Sequence, residues 1–442
     1  MQTVRKTVKK FLDSVPGMLF FLACLFFFNM PEEFAMTEKI MKLGNQTIYY
    51  FGGAVFILYA IVKKEPWKDG LFLTSLVFNV FVLFTTALNK GETMTILNNY
   101  VVCGTGIVLT FSLFYDVNVK KFAWVAFIYC FLLVILNNST AIVYMSSPGG
   151  YTTWFSHQHH GAYDVAILCG NYNLTFIYVA IAYALGVFVS EKYCRWIWPL
   201  NLLMLGFSVV VAVRTQCETS LIVYLLIGMS TFVALLAKRF KAFEWIPKAL
   251  NSYVIAALNI FAAVVLYMAS VGKFKLPEGI DVSMHGRRLI WQFALESFFR
   301  KPLFGHGLRV PIEPTLTVPH VHSIFLEVPH LSGIFGTLIF LALVLVIIMM
   351  IRKAEDKGIR YCFQFVFGLF FTASLVEYYP AQGMFTLFAA VYYGAHAVSK
   401  NVKEERPLQK KSAKNPDAHR DRTPAAPDET EERLIALTKE QK

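Results

Sequence analysis

The chain has 442 residues, is 56% hydrophobic and 16% charged, and carries 41 phenylalanines. A soluble core cannot hide that much apolar surface, so the composition excludes an ordinary soluble protein and points to a polytopic membrane protein. A formal charge of +12 can indicate a nucleic-acid partner, but here the lysines and arginines gather in short loops between apolar runs, the distribution that cytoplasmic retention of positive charge produces.

From the N-terminus, Val4-Arg5-Lys6 and Lys9-Lys10 precede the first apolar run. Phe20 to Met30 offers no small-residue cleavage site and more apolar runs follow, which predicts a retained first helix rather than a signal peptide. Hydropathy predicts twelve spans, at 15–30, 47–62, 71–88, 97–115, 122–143, 165–189, 197–213, 220–237, 253–271, 332–351, 362–378 and 381–398. Each is long enough to cross a hydrocarbon layer roughly 30 Å thick.

The basic clusters Lys63-Lys64 with Lys68, Lys120-Lys121, Lys192 with Arg195, Lys238 to Lys248, and Arg352 to Arg360 fall on alternate connections. That alternation predicts both termini on the cytoplasmic side. The opposite side then receives 31–46, 89–95, 145–164, a tight turn at 214–219 and one long segment, 272–331. The expected organisation is nine spans in 1–271, an outer loop over 272–331, three spans in 332–399, and a polar tail over 400–442. The tail is too poor in apolar residues to form a core and is expected to be disordered, save for a short helix near Glu431 to Glu440. The seven cysteines show no paired spacing, so neither a disulfide framework nor a zinc site is expected.

The outer loop holds the chemistry. In "HGRRLIWQFALESFFRKPLFGHG", Leu289, Ile290, Phe293, Ala294 and Phe298 have the spacing of an amphipathic helix, with Arg287 and Trp291 four apart on one face. Pro302 ends this helix, Gly305 and Gly307 shape a loop in which His306 forms part of the turn, and Arg309 and three prolines lead to "VPHVHSIFLEV". Arginine presents a planar fork of donors suited to phosphate oxygens, and neutral histidine is a general base near pH 7. Together, Arg287, Arg288, Arg309, His320 and His322 describe a site for a phosphorylated lipid and a proton-transfer step. The competing reading makes them headgroup contacts and helix caps.

Arg214, in "VVVAVRTQCETS" at the same outer edge, runs against the positive-inside bias, which points to an anionic partner; snorkelling to a headgroup is the alternative. In the loop at 145–164, His157, His159, His160 and Asp164 are open to three readings: a metal site, a glycan contact or a solvated loop. Tyr151 and Trp154 beside them suit either sugar stacking or an interfacial belt. Asn171, Asn173 and Glu377 interrupt apolar stretches and are expected to face protein or a cavity, with Glu377 orienting an arginine or an acceptor, or closing a helix turn.

These residues resemble the O-antigen ligase and polymerase superfamily of bacterial inner membranes. The resemblance rests on Arg287 with Trp291, "PLFGHG" at 302–307, "HVHS" at 320–323 with Leu326-Glu327, and "SGIFG" at 332–336, in order over about fifty residues. The departure is Ser323, where the family pattern has asparagine after the second histidine; a hydroxyl can still orient an imidazole, with fewer hydrogen bonds.

The resemblance implies an all-α, GT-C-like fold of about twelve transmembrane helices. It further implies a metal-independent glycosyltransferase in the inner membrane with a periplasmic site and no cofactor. The donor would be a glycan on undecaprenyl diphosphate, and the acceptor a sugar of lipid A-core for a ligase or of a lipid-linked glycan for a polymerase. His322 matches the general base, and Arg287 and Arg214, with Arg288, the residues that hold the diphosphate. His320, Trp291, Ser323, Glu327 and Arg309 would support them. No Asp-x-Asp motif occurs that would hold a divalent ion. A flippase is the rival from another class, but the charges cluster in one outer loop rather than inside the helices, and no internal repeat is seen.

Overall fold

A computed structural model describes residues 2–30, 38–63, 65–146, 166–215, 217–271, 287–308 and 321–413. The chain divides into two units, Met1–Val398 and Ser399–Lys442. In chain order the helices are α1 (Gln2–Leu12), α2 (Val15–Phe28), α3 (Glu38–Val62), α4 (Gly70–Leu88), α5 (Thr93–Ile96), a π-helix (Leu97–Gly104), α6 (Thr105–Ser146), α7 (Tyr172–Lys192), α8 (Ile197–Arg214), α9 (Glu218–Arg239), α10 (Trp245–Ala249), α11 (Ser252–Ser270), α12 (Arg287–Arg300), α13 (Ile324–Lys353), α14 (Lys357–Ala373) and α15 (Ala381–Ala413). Among the described residues the only strands form one small antiparallel hairpin, Ala166–Ile167 with Gly170–Asn171.

Seven described segments are long and apolar enough to cross a membrane, or eight if α1 and α2, bent by 74°, count as one. One of the seven, Thr93–Val143, has 51 residues, about 76 Å of helix at roughly 1.5 Å per residue, twice what a bilayer core needs. It is two helices end to end. Asn118 leaves helical geometry (φ −159°, ψ 87°), and its side chain caps the second arm by accepting from Lys121 N at 3.2 Å. The expected spans 97–115 and 122–143 lie on the two arms.

Several expected boundaries shift: the helix expected from 47 begins at Glu38, and the one expected to end at 398 runs to Ala413, so the start of the tail expected to be disordered is helical. The hairpin occupies the start of the expected 165–189 span, and the helix begins at Tyr172. The helix expected over 362–378 stops at Ala373, ahead of turns that lead to Pro380, whose ring disfavours helix in the residue before it. The helix expected from 332 begins at Ile324.

At the centre, α7 is buried along nearly its whole length, with Phe176, Ile177, Val179, Ala180 and Ile181 fully enclosed. It packs on α6, α8, α9 and α14. Small residues allow the approach: a Cβ on Gly186 would meet the Asn201 side chain. The phenylalanine excess is spent in stacks such as Phe370, Phe371, Phe385 and Phe388, tilted or edge-on at 5.1–6.4 Å, where aromatic pairs add to simple burial.

Candidate functional site

The site is organised by a break in α13. Pro329 interrupts the helix and Gly333 takes φ 63°, ψ −162°, a conformation essentially restricted to glycine. In an unbroken helix Ile334 N–H would donate to His330 O and Phe335 N–H to Leu331 O. Here Ile334 N donates instead to Pro302 O (2.8 Å) and Phe335 N to Leu303 O (3.3 Å), while His330 O and Leu331 O accept from His306 N (2.7 Å) and Gly307 N (2.9 Å). The 302–307 loop is therefore inserted into the broken ladder and satisfies the four backbone groups the break sets free.

Glycine permits the contact. Gly305 and Gly307 sit at φ 72° and 74°, and a Cβ on Gly305 would lie 2.6 Å from Gly333 N. The end of α4 stitches the seam shut: Thr85 Oγ1 donates to Leu331 O (3.1 Å) and Asn89 Nδ2 to Gly305 O (3.2 Å). The sequence pattern Pro302, Gly305, Gly307 with Gly333 thus has one mechanical meaning, a loop docked on a helix break.

His306 shapes this turn. A ring nitrogen lies 2.7 Å from Ser297 O, and the ring stacks on His330 at 5.6 Å. Burial lowers the His306 pKa from its usual 6.5, opposed by the hydrogen bond to Ser297.

The residues around His322 are held on every side. Trp291 Nε1 donates to Val321 O at 3.1 Å, and Val321 N donates to Glu327 Oε2 at 2.7 Å. Glu327, one turn into α13, thus reaches back to a loop N–H while its own N–H makes the ordinary helical bond to Ser323 O at 2.7 Å. Trp291 is completely buried and meets Tyr267 edge-on at 5.6 Å. Ser323 is also buried. Its Oγ lies 2.8 Å from Tyr267 Oη and donates to Ser374 O at 3.1 Å.

Ser323 therefore ties the loop to α11 and to the end of α14. It makes no hydrogen bond to the His322 ring, because at the start of α13 its side chain points at these neighbours. Between these fixed residues, half-buried His322 adopts φ 55°, a left-handed backbone uncommon outside glycine though less so for histidine.

On α12, Arg287 Nη2 pairs with Glu377 Oε1 at 2.7 Å, with side chains 18% and 5% exposed. Glu377 lies in the turn after α14, where burial raises its pKa and Arg287 opposes the rise. Glu377 is the only partner of Arg287 among the described residues, which leaves most of the five guanidinium N–H donors uncommitted.

Other expected residues fall differently. The buried face of α12 is Trp291, Ala294 and Ser297, whereas Leu289 is 60% exposed. Of the expected apolar stripe, Ala294 is buried and Ile290, Phe293 and Phe298 are half-buried, while Trp291 docks on Tyr267, Val321 and Leu326. Arg214 is exposed at the end of α8 and is not bonded to Arg287. Cys217, three residues on, is nonetheless close enough to feel the charges of Arg287 and Glu377.

The side chain of Arg288, and Arg309, His320, Tyr151, Trp154, His157, His159, His160, Asp164 and the 414–442 tail, lie outside the described residues, as do the side chains of Asn171 and Asn173. Tyr267 and Ser374 were invisible in the sequence, since nothing distinguishes a site hydroxyl from the many others in apolar helices.

Fold and site define an integral membrane protein, a helical bundle with a polar, arginine- and histidine-bearing mouth built around a broken helix. Residues 200–341 match a family described as O-antigen ligase. The stretch covers about a third of the chain, from α8 to the middle of α13, and includes Arg214, Arg287, Trp291, His322, Ser323 and Glu327. This match supports placing the chain in the O-antigen ligase and polymerase superfamily, with a ligase- or polymerase-type activity. No curated protein matches the chain.

Proposed function

We propose that this protein is an O-antigen ligase-type glycosyltransferase of twelve spans, with both termini in the cytoplasm and its site at the periplasmic face of the inner membrane. It moves a glycan from undecaprenyl diphosphate to a sugar hydroxyl of lipid A-core. The observations that carry the reading are Arg287, held by Glu377 and without another partner among the described residues, and half-buried His322 in a loop held by Trp291 and Glu327.

In this mechanism Arg287, together with Arg214 and Arg288, binds the diphosphate and stabilises the charge that develops on it as the glycosidic bond breaks. Fixed guanidinium groups perform this without a metal. His322 takes the proton of the acceptor hydroxyl as it attacks the anomeric carbon. Trp291, Glu327 and Ser323 position the loop, with His320 and Arg309 contributing from the same segment. The lipid diphosphate is the leaving group, so no ATP is needed on the outer side.

The test is transfer by the purified protein from an undecaprenyl-diphosphate glycan to lipid A-core in the presence of EDTA. Product from the wild type and none from His322→Ala supports the reading. Elongated lipid-linked glycan would make the protein a polymerase, and failure to transfer at all, with the variant indistinguishable, would point to a flippase.

A further inference from the structure

Outside the residues assigned so far, one polar group in the span that follows α4 is left over. The segment Leu97–Gly104 is a π-helix eight residues long. Such segments are rare, mostly single-turn, and concentrated at functional sites. The wider π turn rotates less per residue than an α turn, which brings consecutive side chains closer together around the axis. Here those side chains are Asn98, Asn99 and Tyr100, three polar groups in an otherwise apolar span.

Each has a partner that aims it. Asn98 Oδ1 accepts from Tyr49 Oη, Asn99 Oδ1 accepts from Gln382 Nε2 at 3.1 Å, and Tyr100 Oη lies 3.4 Å from Tyr378 Oη. With the two asparagine oxygens and the glutamine nitrogen engaged, Asn98 and Asn99 keep their Nδ2 donors and Gln382 keeps its Oε1 acceptor free of protein partners among the described residues. All three side chains are half-buried. The group joins the candidate site through consecutive residues, since Glu377 holds Arg287 and Tyr378 meets Tyr100. Tyr100 is also close enough to feel the Glu327 charge.

We infer that Asn98, Asn99 and Gln382, flanked by Tyr100 and Tyr378, form the subsite for the sugar adjoining the lipid diphosphate. The chemistry selects a neutral, polyhydroxylated or acetamido ring. The free groups are uncharged, they include donors and an acceptor, and amide edges beside tyrosines complement hydroxyls and a sugar face. A phosphate or carboxylate ligand would call for cations, and these three residues bring none. The inference rests on the proposed donor, a glycan on a polyprenyl diphosphate.

The experiment measures binding of two probes to the full-length protein in nanodiscs: undecaprenyl diphosphate alone and undecaprenyl diphosphate bearing one N-acetylglucosamine. The proteins are wild type, Asn99→Ala and Gln382→Ala. The expected result is tighter binding of the sugar-bearing probe by the wild type, and a loss of about tenfold for that probe alone in each variant, the effect of one hydrogen-bonding interaction of roughly 1.4 kcal/mol. Equal weakening of both probes would mean that the residues only support the fold, and unchanged binding of both would mean there is no subsite; either overturns the inference while leaving the proposed function intact. A wild type that binds neither probe overturns the proposed function, and the subsite with it.

Discussion

Replacing Gly333 with alanine tests the physical centre of the site. A Cβ at this position would lie 2.4 Å from both the carbonyl carbon and oxygen of Leu303 and 2.6 Å from Phe304 N. These are backbone atoms, which cannot swing aside as a side chain can. The residue also holds φ 63°, for which a non-glycine residue incurs of order 1–3 kcal/mol.

The chain then has two choices. It can keep the seam and bear the strain, or open it and lose the four backbone hydrogen bonds between 302–307 and 330–335, each contributing about 1 kcal/mol net. Either route puts the loss at roughly 2–5 kcal/mol. The assay is thermal unfolding of the purified protein in detergent alongside glycan transfer.

Gly206→Ala is the matched control. A Cβ there meets nothing within 4 Å, and alanine in a helix is favoured over glycine by about 0.5–1 kcal/mol. Gly333→Ala is expected to lower the apparent Tm by a few degrees and to abolish transfer, with Gly206→Ala equal to or slightly above wild type. If the two variants have the same Tm and the same transfer rate, the inserted loop is not what holds the site.

Three further outcomes follow from the same geometry. A double-mutant cycle on Arg287→Gln and Glu377→Gln is expected to give a coupling of about 1.5–3 kcal/mol in unfolding, since removing one member leaves the other buried without its counter-charge; additivity within about 0.5 kcal/mol would deny the pair any structural role. At His322, both glycine and alanine should eliminate transfer, but His322→Gly should be the more stable by about 1 kcal/mol because φ 55° suits only glycine without strain; an alanine variant of equal or greater stability would refute the left-handed assignment. Burial holds the folded-state pKa of His306 below the 6.5 of an exposed imidazole. The unfolded chain therefore takes up the proton first as pH falls, so the stability due to the neutral ring is complete above about 6.5 and is lost below it. His306→Gln should flatten the decline of Tm between pH 7 and pH 5, and an unchanged slope would place the titration elsewhere.

Much of the scaffold was legible because the bilayer imposes it. Runs of about twenty apolar residues must be helical in lipid, where no water satisfies the backbone, and seven described segments, or eight if α1 and α2 count as one, are helices long and apolar enough to cross it. Their ends were less legible. A hairpin at Ala166–Asn171 and turns after Ala373 depend on which neighbours accept the last backbone groups, and hydropathy is blind to that.

Site chemistry divides in the same way. Arg287, Trp291, His322, Ser323 and Glu327 could be picked out because charged, indole and imidazole groups are conspicuous in an apolar chain, and the glycines because their spacing has few other uses. Their roles needed three dimensions. Glu377 stands 90 residues from the arginine it holds, and Ser323 serves Tyr267 and Ser374 rather than the adjacent ring.

By itself, then, the sequence determined the membrane class, the approximate helices and the residue types gathered in one segment, since these follow from composition and local spacing. The tertiary structure alone decided that the 302–307 loop fills the break at Gly333, that Glu377 orients Arg287, and that Tyr100 of a π-helix meets Tyr378 beside Glu377. Each of these depends on contacts between residues far apart in the chain, where hydrogen bonds and packing, not local preference, fix the geometry.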